Sequence, residues 1–171
     1  MEVGKVNNRT PVFPSRQRGT ETVEFALTAT LVFILLFGII EFGLVLFDKA
    51  TLANASREGA RVGILYRDYW DGNGDPLPRD AARVEAVEDA LVEQAVLNYA
   101  QSYVISPGGA SALDAADVTI TRDYGADGIF NVGDQISVHI DYGFSFLVLP
   151  HLVEDMVLNK IIPAETVMFA E

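Results

Sequence analysis

The residues of this chain that could do chemistry are mostly carboxylates, and they fall in three settings. In the first, Asp71, Asn73 and Asp75 take the first three ligand spacings of a calcium loop. The sixth position, where such a loop needs glycine, is Pro76, and the twelfth, where it needs a bidentate glutamate, is Ala82. In the second, Asp123 and Asp127 open a similar pattern with Gly128 at the sixth position, but Gly125 stands third and Asp134 twelfth. Turns rich in Asp and Gly arise wherever the backbone must bend tightly. These residues are therefore weak metal candidates, and no metal and no cofactor are expected. His139 and His151 have no cysteine or second histidine at ligand spacing, and no nucleophile elbow, phosphate loop or H-E-x-x-H occurs. His139 alternates with apolar neighbours, which reads as a solvent-facing strand position. The chain is not expected to be an enzyme.

The third setting is an apolar run. From residue 26 to 47 the one charged residue is Glu41, and Glu24 stands just ahead of the run. At about 1.5 Å per residue, roughly 20 helical residues cross a hydrocarbon core. No small-residue cleavage site follows Phe47, and DKATLANASREGARVGIL continues with helical character, so the run reads as a retained anchor. A buried core helix is the alternative. The cations Lys5, Arg9, Arg16 and Arg18 precede the run against one acid, Glu2. The positive-inside rule then puts the N-terminus in the cytoplasm and the larger C-terminal part outside. The formal net charge of -12 argues against nucleic acid as a partner. Without cysteine the chain has no disulfides.

These groups need elements to position them. Residues 1–19 are polar with Pro11 and Pro14 and read as a basic leader. Residues 20–66 read as one helix, its membrane part at about 26–47. Beyond that, Ala55, Gly59 and Gly63 recur every four residues along one face, where a second backbone can come close. That face is expected to pack on the chain's own domain, with a subunit contact as the alternative. Residues 67–171 form the exterior domain. A Gly/Pro-rich loop over 67–80 precedes a helix over 81–103, with Asp80 as its N-cap. Val84, Val87, Leu91, Ala95 and Tyr99 lie near its apolar stripe, and Glu85, Glu88, Asp89 and Glu93 lie mostly off it. Then the period changes to two. Strands are expected over 118–122 and 135–144, paired as a hairpin, with Ile136, Val138, Ile140 and Tyr142 on one side. The apolar stretch 144–158 reads as a short helix or covering loop. A closing strand follows over 161–170, at an edge because of Pro163. The expected fold class is α+β: a long N-terminal transmembrane helix running into a small extracytoplasmic domain with a helix packed on an antiparallel sheet.

The segment RQRGTETVEF, residues 16–25, resembles the processing site of type IV prepilins. It has a basic leader, Gly19 before the bond, and Glu24 as the fifth residue after it. With Phe25 after Glu24 and ANASREGAR at 53–61, it is similar to the TadE/TadG-like family of tight-adherence (Flp) pilus proteins. GDQISVHIDYGF at 133–144 and, more loosely, PAETVM at 163–168 resemble later parts of that family's domain. Thr20 stands where Phe or Met is usual in major pilins. The exterior part is too short for the large region of long TadG proteins, which points to the TadE type.

The resemblance implies a minor pseudopilin of a type IVb pilus, used in surface adhesion and biofilm formation. It would be cut by prepilin peptidase between Gly19 and Thr20. Its partners would be inner-membrane lipid, the peptidase, other pilin-like subunits and the assembly machinery. It implies too that Glu24 pairs with the new Thr20 amine of a neighbouring subunit, which would fix their stagger. The plain alternative for Glu24 is a carboxylate at a wet membrane boundary that needs no partner. Glu41 has two expected settings: near the outer interface, reaching toward headgroups, or paired between helices. A single-pass envelope protein, never cleaved and binding a partner or calcium outside, is the rival reading of the whole chain.

Overall fold

The computed structural model of the protein describes residues 17–65, 69–71, 73–77, 80–106, 112–147 and 161–170. The chain divides into two compact units, Met1–Phe37 and Gly38–Glu171. The boundary falls inside one helix, α1 (Gln17–Gly63). Val23, Phe25, Leu27, Leu31 and Leu35 are all more than half exposed in the first unit. Thr30 donates its hydroxyl to the carbonyl of Ala26 at 2.8 Å, which satisfies the group where lipid would offer no partner. An apolar helix with its side chains uncovered is what lipid selects, and a soluble core helix would be mostly buried. Among the described residues α1 is the one helix long and apolar enough to cross a membrane. The leader expected over 1–19 lies outside the described residues up to position 16, and 17–19 are already helical.

The second unit is α+β. After α1 come a two-residue ladder, β1 (Tyr69–Trp70) with β2 (Pro76–Leu77), then α2 (Ala81–Arg83), a π-turn (Val84–Glu88) and α3 (Asp89–Tyr103). Asp80 caps α2: its carboxylate accepts the Arg83 amide at 3.0 Å and also meets the Arg83 guanidinium. A three-stranded antiparallel sheet follows in the order β3-β4-β5, from β3 (Val118–Arg122), β4 (Gln135–Gly143) and β5 (Ile161–Phe169). The register pairs Val138 with Ile120 on one side and Thr166 on the other. Ile136, Val138, Ile140 and Tyr142 are buried together, as period-two alternation requires for a sheet with one covered face.

β5 is an edge strand, the place that tolerates Pro163. Ala170 donates its amide inward to Asp134, at 2.8 Å. Backbone groups alternate sides along a strand, so Pro163, an odd number of residues away, has its missing N–H on the free edge and no ladder bond is lost. The apolar stretch expected to cover the sheet is described to Leu147, and its remainder, 148–158, lies outside the described residues.

The stripe expected on the second helix is corrected. The buried line runs Val84, Glu88, Val92, Val96, Ala100, while Val87 and Leu91 are 47% and 38% exposed. The expected stripe holds for a continuous α-helix from 81 to 103. The π-turn inserts extra arc at Val84–Glu88 and rotates everything after it, which takes Glu88 inward and Leu91 outward.

Among the described residues, the sheet's inner face holds the cation Arg122. Arg122 at the end of β3 is 2% exposed in its side chain and pairs with Asp89 at the start of α3, itself 25% exposed. The guanidinium lies 5.7 Å from the Phe130 ring centroid, and its Nε and Nη2 are buried without a hydrogen-bond partner. A half-satisfied buried guanidinium depends on its one carboxylate. Asp89→Ala strands it and is expected to cost 3–5 kcal/mol, toward the lower end because Asp89 is partly hydrated. Arg122→Met removes the charge with its stem volume kept and is expected to cost less. Chemical unfolding of the two variants in detergent checks the order; an equal or reversed order would refute this account of the pair.

Candidate functional site

The site residues named from sequence fall on α1 and on two loops. Gly19, Thr20, Glu24 and Phe25 lie in the first unit, helical and exposed. A side chain at Gly19 would meet nothing within 4 Å. Thr20 and Glu24 are one turn apart and share a face. Among the described residues of the first unit nothing covers them, and they are exposed.

The second unit holds the other α1 residues tightly. Leu52, Ala55 and Ala60 are fully buried. A Cβ at Gly59 would lie 2.4 Å from Val96 Cγ2 and 3.5 Å from Val138 Cγ1; one at Gly63 would lie 2.3 Å from Ile136 Cδ1. Thus Ala55, Gly59 and Gly63 face α3 and β4 of the same chain. Ser56 joins the same face to β5: its hydroxyl is 3.0 Å from the Ala53 carbonyl and 2.6 Å from Thr166 Oγ1. If Ser56 gives its proton to Ala53, Thr166 is the donor to Ser56.

Glu41 is 3% exposed and accepts the backbone N–H of Leu147 at 2.7 Å. This bond ties it to the chain's own backbone just after β4. Asp48, two turns further on the same side of α1, is fully buried and accepts the N–H of Ile105 just after α3, at 2.9 Å. Its second oxygen, Oδ2, is buried without a hydrogen-bond partner. Two loops of the domain thus hang from two α1 carboxylates by charge-assisted bonds. Asp48 was not singled out from the sequence. The available signal was its seven-residue spacing from Glu41, which puts both on the line that leads to Leu52, Ala55 and Gly59.

The two loops tie up their own acids. Asp71 accepts the amides of Asn73 and Asp75, each at 2.8 Å, and the Asn73 side chain at 3.2 Å. The Asp75 and Asn73 amides hold its carboxyl below the usual range. Asp127 accepts the Ile129 amide at 3.1 Å and Asn131 Nδ2 at 3.0 Å, and Asp134 accepts the Asn131 amide at 2.6 Å. Asp123 is exposed, and its amide bonds the Gln135 carbonyl at 2.9 Å. Gly133, at φ +94°, turns the chain into β4, a conformation that favours glycine. Among the described residues no group of three or more His, Cys, Asp or Glu is placed to hold a metal. His139 faces the outer side of the sheet beside Asp141, at 3.1 Å. His151 lies outside the described residues.

The polar groups hold backbone amides and one another, and the described clusters do not assemble a nucleophile with a base.

Residues 19–61, about a quarter of the chain, match the sequence model of a family described as TadE-like protein. The matched segment is the helix α1, and it is similar there to the TadE-like family. No curated protein and no solved structure matches the chain.

Two measurements probe the helix–domain contact. Glu41→Leu leaves the Leu147 amide without its acceptor, a loss of roughly 1–3 kcal/mol for a buried donor, whereas Glu41→Gln keeps an oxygen there. Hydrogen exchange at Leu147 is expected to quicken strongly in the first variant and little in the second. Gly59→Leu is expected to lower stability by about 1–3 kcal/mol through overpacking. Gly43, with nothing within 4 Å, is the control, and thermal unfolding of Gly43→Leu should match the parent. Equal effects at the two glycines would contradict the close approach at Gly59.

Proposed function

We propose, from the similarity of residues 19–61 to the TadE-like family, that this chain is a minor pilin-like component of a tight-adherence pilus. The observation that carries the reading is where the match lies: it begins at Gly19, takes in Glu24 and the apolar run, and ends at Arg61. In this reading prepilin peptidase cuts between Gly19 and Thr20 at the cytoplasmic side of the inner membrane. The exterior domain, 67–171, stands outside, and the helix 20–66 carries it. The subunit acts by packing with other pilin-like subunits in a system that serves surface adhesion and biofilm formation.

Chemistry gives the cut a purpose. Cleavage removes Arg16 and Arg18, which hold the leader at the cytoplasmic face, and frees the Thr20 amine. A carboxylate such as Glu24 drawn into hydrocarbon costs roughly 2.5–3.5 kcal/mol on insertion scales. An ammonium group from a neighbour offsets that cost only in one register, so Glu24 sets the stagger between subunits. The open surface around Glu24 and Phe25 in the first unit supports this role.

The N-terminal mass of the mature chain tests the reading, taken from cells with and without active prepilin peptidase. A Thr20 start that requires the peptidase is expected. A Met1 start in both would favour a plain membrane-anchored envelope protein that binds its partner outside. In peptidase-active cells, Glu24→Gln is expected to insert normally in the membrane yet fail to co-purify with pilus subunits. Normal co-purification would remove Glu24 from the assembly step.

A further inference from the structure

β4 runs antiparallel to the last part of α1, and the chain keeps following the helix after the sheet ends. A side chain at Gly63 would meet Ile136, and one at Gly59 would meet Val138. Further along, Glu41 accepts the Leu147 amide. From Gly63 back to Glu41 a helix covers roughly 33 Å. From Ile136 to Leu147 an extended chain covers about 36 Å. The two lengths agree, so the segment after Gly143 stays nearly extended beside α1. Phe144 is buried, and its ring meets that of Phe146 edge to face, with centroids 5.1 Å apart. Leu147 follows, 61% exposed.

The level that this segment reaches lies inside the apolar run. Residues 26–47 measure roughly 33 Å as helix, against a hydrocarbon core of about 30 Å, so the domain-side end of the core falls near Phe47. Glu41 stands before that end, roughly 9 Å deeper. Around Glu41 the α1 side chains Ile40, Phe42 and Leu46 are exposed. Ile105, also exposed, is held at the end of the run by its bond to Asp48, and Tyr103 is exposed just before it.

We propose that this end of the domain is a lipid-contacting surface. The segment Phe144–Leu147 enters the bilayer beside α1 to the level of Glu41, with Leu147 among acyl chains, while Tyr103 and Ile105 rest at the headgroups. Three observations select lipid as the occupant. First, the surface of Leu147 is continuous with the exposed apolar side of the spanning helix. Second, Gly143–Leu147 and the facing strand start, Ile161 and Ile162, contain no charged residue. Third, non-helical backbone is tolerated at membrane depth only where protein satisfies its polar groups, and Glu41 does this for the Leu147 amide. Interfacial helices bury their apolar faces about 5–10 Å into the headgroup and acyl boundary, and the depth of Glu41 falls in that range. The inference uses the second unit and the apolar run. It holds equally for a pilus component and for a plain envelope protein, whether or not residues 1–19 are removed.

The chain has no cysteine, so a single introduced cysteine carries a nitroxide label at one known place. The full chain is placed one copy per nanodisc in phosphatidylcholine, with Leu147→Cys, Phe42→Cys or Thr119→Cys. Phe42 marks the depth of Glu41 on α1, and Thr119 is exposed on the sheet beside His139. The Leu147 and Phe42 labels are expected to relax more with oxygen, which concentrates in lipid, than with a water-soluble nickel chelate. Their depths should agree to within about 5 Å, one helical turn. The Thr119 label should show the opposite preference. A Leu147 label that favours the nickel chelate while Phe42 favours oxygen would overturn the inference. So would a Leu147 label that meets lipid only when phosphatidylglycerol is added, which would make the contact one of charge. A Leu147 label shielded from both reagents would assign the surface to cover by protein and overturn it as well.

Discussion

The close approach at Gly59 and Gly63 is the constraint on which the rest of this molecule depends. One helix has to suit two surroundings, and its residues change character where the surroundings change. Over its first part, large apolar side chains such as Val23, Phe25 and Leu31 stand uncovered, as lipid requires. Over its last part the side chains on one face shrink to Ala55, Gly59, Ala60 and Gly63, and valines and an isoleucine from α3 and β4 fill the space. Within the second unit the domain is clamped to this last part of α1.

The polar groups on that face obey the same economy. Glu41, Asp48 and Ser56 are buried by the domain, and each meets a group the fold must satisfy anyway. The amides of Leu147 and Ile105 follow the last ladder or helix bond of β4 and α3, where a backbone donor has lost its regular acceptor. Carboxylates placed there settle the donor and offset part of the cost of burying the acid. These residues look like intrusions in an apolar run. They are fasteners between helix and domain.

The edge of the sheet is guarded as well. β5 leaves one side unpaired, and an unpaired strand invites another strand. Self-pairing about its centre would set Glu165 against Glu165, and Pro163 offers no donor on that edge. The strand therefore resists edge-to-edge growth and leaves its outward side chains as the surface available for contact. Association by side chains can be selective in a way that bare backbone pairing is not.

Much of this was legible in the residues themselves. Apolar length and the lack of charge mark the membrane helix. Period-two alternation in 118–122 and 135–144 marks two strands, and the four-residue spacing of Ala55, Gly59 and Gly63 marks a face made for close packing. Those signals are local, because they follow from the rise and turn of one element. Other features were decided by contacts between distant parts of the chain. The π-turn at Val84–Glu88 left no mark in composition, yet it turned Glu88 inward and Leu91 outward. The pairing of Arg122 with Asp89 depends on how β3 meets α3. The partners of Glu41 and Asp48 are backbone amides 106 and 57 residues away, and an amide carries no side-chain signature. Sequence alone could determine that α1 holds a carboxylate in apolar company. Only the folded chain, by bringing a loop's unsatisfied N–H to that point, decided what the carboxylate is for.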